Sequence, residues 1–188
     1  MTQVCTVAVI GAGVLGRGIA HLAALSDYRT ILEDLLPSSL RKAELEFRIS
    51  LDQAISSGRV SAEDAPTAFS RLEYAASIEE AARQADLVIE AVPEELESKS
   101  EIFILLDKIC RPATMLVTTS LETDVTQLAN VTYRAERCVG MRMVPSAQTT
   151  RWIEVIPGEQ TNKETLAVAH TLAEKIMSWR QHGILSTL

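Results

Sequence analysis

The 188-residue sequence contains few cysteines and no long apolar run, and each shortage excludes a class of protein. Its cysteines, Cys5, Cys110 and Cys138, form no C-x-x-C pair, which argues against a disulfide framework and against a zinc or other metal site. We expect all three to be small core residues. No apolar run approaches roughly 18 residues, and the first residues lack the charged start of a secretory signal. We therefore predict a cytoplasmic protein without a membrane span.

Basic residues are also fewer than acidic ones. Lys and Arg total 18 against 25 Asp and Glu, which gives a formal net charge of −7. Because phosphate backbones are bound chiefly by Lys and Arg, this balance argues against nucleic acid as a partner. The apolar fraction of 47% is ordinary for a globular protein, and the length fits one domain. The composition therefore favours small-molecule chemistry.

Short apolar segments alternate with helical patterns along the whole chain. A strand at residues 4–10 ends directly at Gly11, and a helical pattern follows from Val14. Parallel strands need crossover connections, so this alternation predicts an α/β fold with a mainly parallel sheet and helices on both faces. Further strands are predicted at residues 29–33, 86–92, 114–118, 138–143 and 152–156, and further helices at 37–57, 61–69, 77–84, 97–110, 124–130 and 163–179.

A glycine-rich turn joins the first strand to the first helix. Gly11, Gly13 and Gly16 form a G-x-G-x-x-G motif, whose glycines allow a tight turn, close approach of a pyrophosphate and close packing of helix on strand. The helix N-terminus offers unpaired N–H groups to an anion. Asp34 lies 23 positions after Gly11, near the spacing of about 20 that is typical of the acid binding the adenosine ribose.

These features predict a Rossmann-type domain over residues 1–179, with a short tail at residues 180–188. A carboxylate at the ribose accepts its hydroxyl groups and repels a 2′-phosphate, so we expect NAD rather than NADP as the cofactor. The residues predicted to contact the dinucleotide are Gly11, Gly13, Val14, Leu15, Gly16 and Asp34.

Several stretches together resemble the NAD-binding domain of the 3-hydroxyacyl-CoA dehydrogenases over about residues 4–175. They are GAGVLGRGIA at residues 11–20, ADLVIEAVPE at 85–94, Lys99 with the helix through Asp107, and Gly140-Met141 followed by WIEVI at 152–156. The resemblance implies NAD as the cofactor and oxidation of the 3-hydroxyl of an acyl-CoA. It also implies that Glu94 and Lys99 contact NAD.

The sequence departs from the family at the positions that carry the reaction. The family uses a His as the base and a Glu, twelve positions later, that orients it. Glu154 is present here, but Arg142 occupies the His position, and a guanidinium stays protonated and cannot act as a base. The family's substrate-binding serine corresponds to Leu121, with Ser120 beside it. The family's all-helical domain would follow the last residue, so we expect it to be absent.

Three hypotheses remain open. The chain is an NAD-binding relative without the usual activity, acting as a binding or partner subunit. Alternatively it is an NAD-dependent oxidoreductase acting on a different hydroxy or keto acyl compound, in which Arg142 or Arg151 binds a carboxylate or a developing oxyanion. A third possibility is a structural subunit with a vestigial glycine loop. Glu154 either takes part in catalysis or pairs with one of these arginines, and Glu122 is a reserve candidate for the base.

We also expect apolar surface at the carboxyl ends of the strands. Such surface is usually covered, so we predict a homodimer or another protein partner.

Overall fold

The computed structural model of the chain describes residues 3–144 and 152–180. Arg151 and residues 181–188 of the predicted tail lie outside the described residues. The strands are β1 (Thr6–Ile10), β2 (Arg29–Glu33), β3 (Leu72–Ala75), β4 (Leu87–Glu90), β5 (Met115–Thr118), β6 (Cys138–Val144) and β7 (Trp152–Pro157). The helices are α1 (Val14–Leu25), α2 (Pro37–Ser56), α3 (Ala65–Ser70), α4 (Ile78–Ala82), α5 (Leu96–Ile109), α6 (Val125–Ala129) and α7 (Lys163–Arg180).

The seven strands form one sheet in the order β3-β2-β1-β4-β5-β6-β7. All neighbouring strands pair in parallel except β6 and β7, which are antiparallel. The predicted mainly parallel α/β sheet is therefore confirmed. Strand β3 was not predicted, because it is a short edge strand whose two central residues, Glu73 and Tyr74, are only partly buried.

Alternate residues of the central strands face two separate apolar cores. Val7 and Val9 of β1 belong to the core beneath α1, α2 and α7, whereas Ala8 and Ile10 belong to the core beneath α4, α5 and α6. This alternation is the period of two that a strand buried on both faces requires. Among the described residues, no helix is both long and apolar enough to cross a membrane.

The cysteines differ in their exposure. Cys110 and Cys138 are buried, and burial raises the pKa of each thiol to about 11. Cys5 is exposed, so the prediction that all three are core residues is wrong for this one. It lies just before the buried strand β1.

Candidate dinucleotide site

A cleft of about 650 Å³ opens at the carboxyl ends of β1, β2 and β4. In the sheet, β2 lies on one side of β1 and β4 lies on the other, so the strand order reverses direction at β1. Open α/β sheets bind ligands at such a switch point. The cleft is lined by Ile10, Gly11, Gly13, Val14, Leu15, Glu33, Asp34, Leu35, Leu36, Ile78, Ala91, Val92, Pro93, Glu94, Ile102, Thr119 and Leu121.

The three motif glycines have different surroundings. Gly11 has a φ of +100°, and a Cβ on Gly16 would lie 1.9 Å from the carbonyl oxygen of Gly11. Both positions therefore require glycine for the fold itself. A Cβ on Gly13 would meet nothing within 4 Å. Gly13 thus leaves space on the cleft side of the turn, as the close approach of a diphosphate requires.

Helix α1 begins at this open position. Its N-cap is Gly13, which has no side chain to bond the free N–H groups, and its first turn has no acidic residue. Val14 and Leu15 occupy this first turn and line the cleft. Free N–H groups and the positive end of the helix dipole favour an anion, so these residues fit the diphosphate of a dinucleotide.

Asp34 lies beside the glycine turn at the end of β2. One of its carboxylate oxygens accepts a hydrogen bond of 2.8 Å from the Ala12 N–H, and the other accepts one of 2.8 Å from the Leu36 N–H. A carboxylate has about four acceptor sites, so two backbone bonds leave capacity for two ribose hydroxyl groups. The geometry at Asp34 therefore fits the adenosine ribose of NAD.

Glu94 lies on the opposite side of the cleft, in the loop between β4 and α5. The Ser120 hydroxyl and, at 3.3 Å, the Leu121 N–H both donate to its carboxylate. Burial tends to raise the pKa of Glu94, but the Ser120 hydrogen bond, the Lys99 charge and backbone N–H groups together lower it below its ordinary value. Glu94 therefore presents a charged acceptor to the cleft at neutral pH.

Lys99 lies behind this wall of the cleft and does not line it. Its ammonium, which is 0% exposed, is 2.7 Å from a carboxylate oxygen of Glu90 and 3.8 Å from one of Glu94. The Thr118 hydroxyl donates to the second oxygen of Glu90 at 2.7 Å. Direct contact between Lys99 and NAD stays a prediction. The observed contacts pair Lys99 with Glu90 and bring its charge close to Glu94.

Sequence reasoning missed the roles of Glu90 and Thr118. Strand β4 is apolar except for Glu90, which is fully buried at its last position. A carboxylate in a buried strand requires a partner. Glu90 was therefore a usable signal for an ion pair.

The two predicted catalytic residues face each other across the antiparallel pair. Arg142 of β6 lies directly opposite Glu154 of β7, and neither lines the cleft. Within the described part of the chain no ion pair joins them, so the alternative that Glu154 pairs with Arg142 is not observed. Arg142 Nε donates to the Ser120 carbonyl at 3.3 Å. The alternative partner, Arg151, lies outside the described residues.

The loop after β5 contributes an apolar side chain to the cleft. Leu121, which the resemblance places at the family's serine position, is 56% exposed and lines the cleft. The neighbouring Ser120 is buried and its hydroxyl is bonded to Glu94. Glu122 is exposed, and Asp124 caps α6 through the Thr126 N–H. At this point of the loop the cleft is therefore lined by an apolar side chain, and the neighbouring serine hydroxyl is turned to Glu94.

The family model for the 3-hydroxyacyl-CoA dehydrogenase NAD-binding domain matches residues 6–180 of this chain. The chain belongs to the 3-hydroxyacyl-CoA dehydrogenase family. Its predicted fold, family and cofactor, NAD, are thereby confirmed. Family membership also agrees with the observed cleft, glycine turn and acid at the end of β2.

Individual members of the family match nearly the whole chain. The chain is 31% identical to a probable 3-hydroxybutyryl-CoA dehydrogenase of Bacillus subtilis, covering 93% of this chain and 60% of that protein. It is 34% identical to the 3-hydroxyadipyl-CoA dehydrogenase of Escherichia coli, covering 98% of this chain and 38% of that protein. The crystal structure of (S)-3-hydroxybutyryl-CoA dehydrogenase from Ralstonia eutropha superposes with a TM-score of 0.83 at 28% identity, covering 93% of this chain and 61% of that one. The chain thus spans less than two thirds of these 3-hydroxyacyl-CoA dehydrogenases.

Proposed function

We propose that this NAD-binding domain binds NAD(H) in its cleft and does not carry out the usual oxidation of a 3-hydroxyacyl-CoA, acting instead as a binding or partner subunit. The observation that carries the proposal is that Arg142, opposite Glu154 in the β6–β7 pair, stands where the resemblance places the family's base. Hydride transfer from an alcohol releases a proton, and a base must accept it. Arg142 cannot do so, because its guanidinium stays protonated at any accessible pH.

The cofactor half of the site supports the binding part of this proposal. Gly13 leaves space for a diphosphate, and Asp34 is fixed beside it with acceptor sites to spare. Glu94 is held as a charged acceptor on the other wall. The resemblance places Arg142 and Leu121 where the family has its base and its serine, and this expected loss beside an intact cofactor half favours binding over ordinary catalysis. It also argues against a vestigial glycine loop.

A second candidate is an NAD-dependent oxidoreductase with a different hydroxy or keto acyl substrate. It is favoured by the contact between Arg142 and the Ser120 carbonyl, which brings a guanidinium to the loop that carries Leu121. A cation there could bind a substrate carboxylate or stabilise an oxyanion. Water or the exposed Glu122 would then have to exchange the proton.

Two measurements on the same preparation separate these candidates. Binding of NADH is followed by its fluorescence, and reduction of acetoacetyl-CoA by NADH, with uptake of one proton, is followed by loss of absorbance. We expect saturable NADH binding and no reduction above the rate without protein. Reduction that disappears in Arg142→Ala and persists in the control Arg137→Ala would support the oxidoreductase. Absence of NADH binding at millimolar concentration would contradict both candidates.

We also propose that a second copy of the chain covers the rim of the cleft. The rim exposes large apolar side chains that a soluble surface rarely groups together. They are Val14, Leu35, Leu36 and Leu121.

A further inference from the structure

Glu33 is a buried carboxyl group in the wall of the dinucleotide cleft. It is the last residue of β2, is 2% exposed and lines the cleft next to Asp34. In the sheet it pairs with Ile10 of β1 and Ala75 of β3. Its Oε1 atom has no hydrogen-bond partner within the part of the chain that the structure describes. Burying a carboxyl oxygen without a hydrogen bond costs folding free energy.

The surroundings favour the neutral form of this group. Burial, together with the charge of Asp34, raises the pKa of Glu33 to about 7. The carboxyl groups on the neighbouring elements have hydrogen-bond partners of their own. Glu73 of β3 accepts from Arg29, and Glu80 of α4 accepts from the Ala76 N–H.

Among the described residues, the remaining charges offer Glu33 no neutralising partner. Arg29 lies at the other end of β2 and is bonded to Glu73, and Glu94, which lines the cleft together with Asp34, is bonded to Ser120. Glu90 of β4, in the same row of the sheet, is bonded to Lys99. The residues of β1, from Thr6 to Ile10, are uncharged. Glu33 is therefore poised to gain or lose a proton near neutral pH.

We propose that Glu33 couples dinucleotide binding to protonation, because its neutral carboxyl group donates a hydrogen bond to the adenosine half of the ligand. This inference rests on dinucleotide binding at the cleft. Asp34 places the adenosine ribose beside Glu33, and the ligand brings a diphosphate to the adjacent glycine turn. The added negative charge and the loss of water both favour the neutral carboxyl group. A neutral carboxyl group can donate to a ribose oxygen or an adenine nitrogen, which a carboxylate cannot do.

The direction of the pH effect follows from this preference. Below pH 7 the free protein already carries the proton, so affinity for the dinucleotide is high and changes little. Above pH 7 binding must take up a proton, so affinity falls as the pH rises, by at most about tenfold per pH unit for one proton.

Titration of the protein with NADH between pH 6 and pH 8.5 tests this coupling. The wild-type dissociation constant is expected to rise several-fold above pH 7. Glu33→Gln keeps a neutral donor, so it should bind equally at pH 6, more tightly than wild type at pH 8.5, and without the slope. Glu79→Gln, which removes an exposed carboxylate of α4 outside the cleft, should keep the wild-type slope.

A calorimetric measurement on the unaltered protein keeps the test valid if Glu33→Gln does not fold. Binding heats at pH 7.5 in two buffers of different ionisation enthalpy give the number of protons taken up, which should lie clearly between zero and one. No proton uptake, or the same pH slope in Glu33→Gln, would overturn the coupling while leaving dinucleotide binding intact. No binding of NADH at any pH would overturn both this inference and the proposed function.

Discussion

Replacing Lys99 by methionine should destabilise the domain strongly, because the change removes the cation that neutralises a buried carboxylate. The ammonium of Lys99 and the carboxylate of Glu90 are both 0% exposed and lie 2.7 Å apart. Removing one member of a buried pair costs about 3–5 kcal/mol, since the other charge stays buried without a partner. One kcal/mol shifts the midpoint by about 2–4 °C in a domain of this size, so we expect a fall of about 6–20 °C.

Thermal and urea unfolding followed by circular dichroism would measure this loss. The matched control is Arg29→Met, which breaks an ion pair with Glu73 whose members are each 45% exposed and which should cost at most about 1 kcal/mol. The double variant Glu90→Gln/Lys99→Met should recover much of the lost stability, because the unpaired charge is gone. If Lys99→Met cost no more than Arg29→Met, the assignment of a buried ion pair would be refuted.

The two other predictions concern the glycine turn and the rim of the cleft. Gly16→Ala should prevent stable folding, because its Cβ would overlap the Gly11 carbonyl. Gly13→Ala should fold normally and lose more than about tenfold in NADH affinity. Unchanged NADH affinity in folded Gly13→Ala would contradict the diphosphate assignment. Light scattering should give a mass twice that of one chain, and Leu36→Asp should lower it. A single-chain mass at working concentration would exclude the homodimer.

Local signals explain why most of the fold could be predicted from the sequence. The bounds of β2, Arg29–Glu33, agree with the prediction, since the segment is apolar and is followed directly by an acid and a helix. Ser77 caps α4 through the Glu80 N–H, as the spacing of the two residues indicated. Strand β3 was missed because it is a four-residue edge strand with a partly buried centre, so it shows no apolar run.

The arrangement of the site was also predictable only in part. The position of Asp34 beside the glycine turn could be predicted from the spacing, because one turn and one strand fix their relative positions. Glu33 was treated only as the end of a strand, and its importance depends on burial by elements far along the sequence. The Lys99 contacts likewise depend on how α5 packs against β4, which the sequence pattern does not specify.

The bond between Asp34 and the Ala12 N–H affects how tightly a ligand can bind. The acid that would recognise the sugar also anchors the turn that would receive the diphosphate, and it does so in the ligand-free chain. The loop is thus preorganised, so the entropy of ordering it is lost when the chain folds and not when the nucleotide arrives.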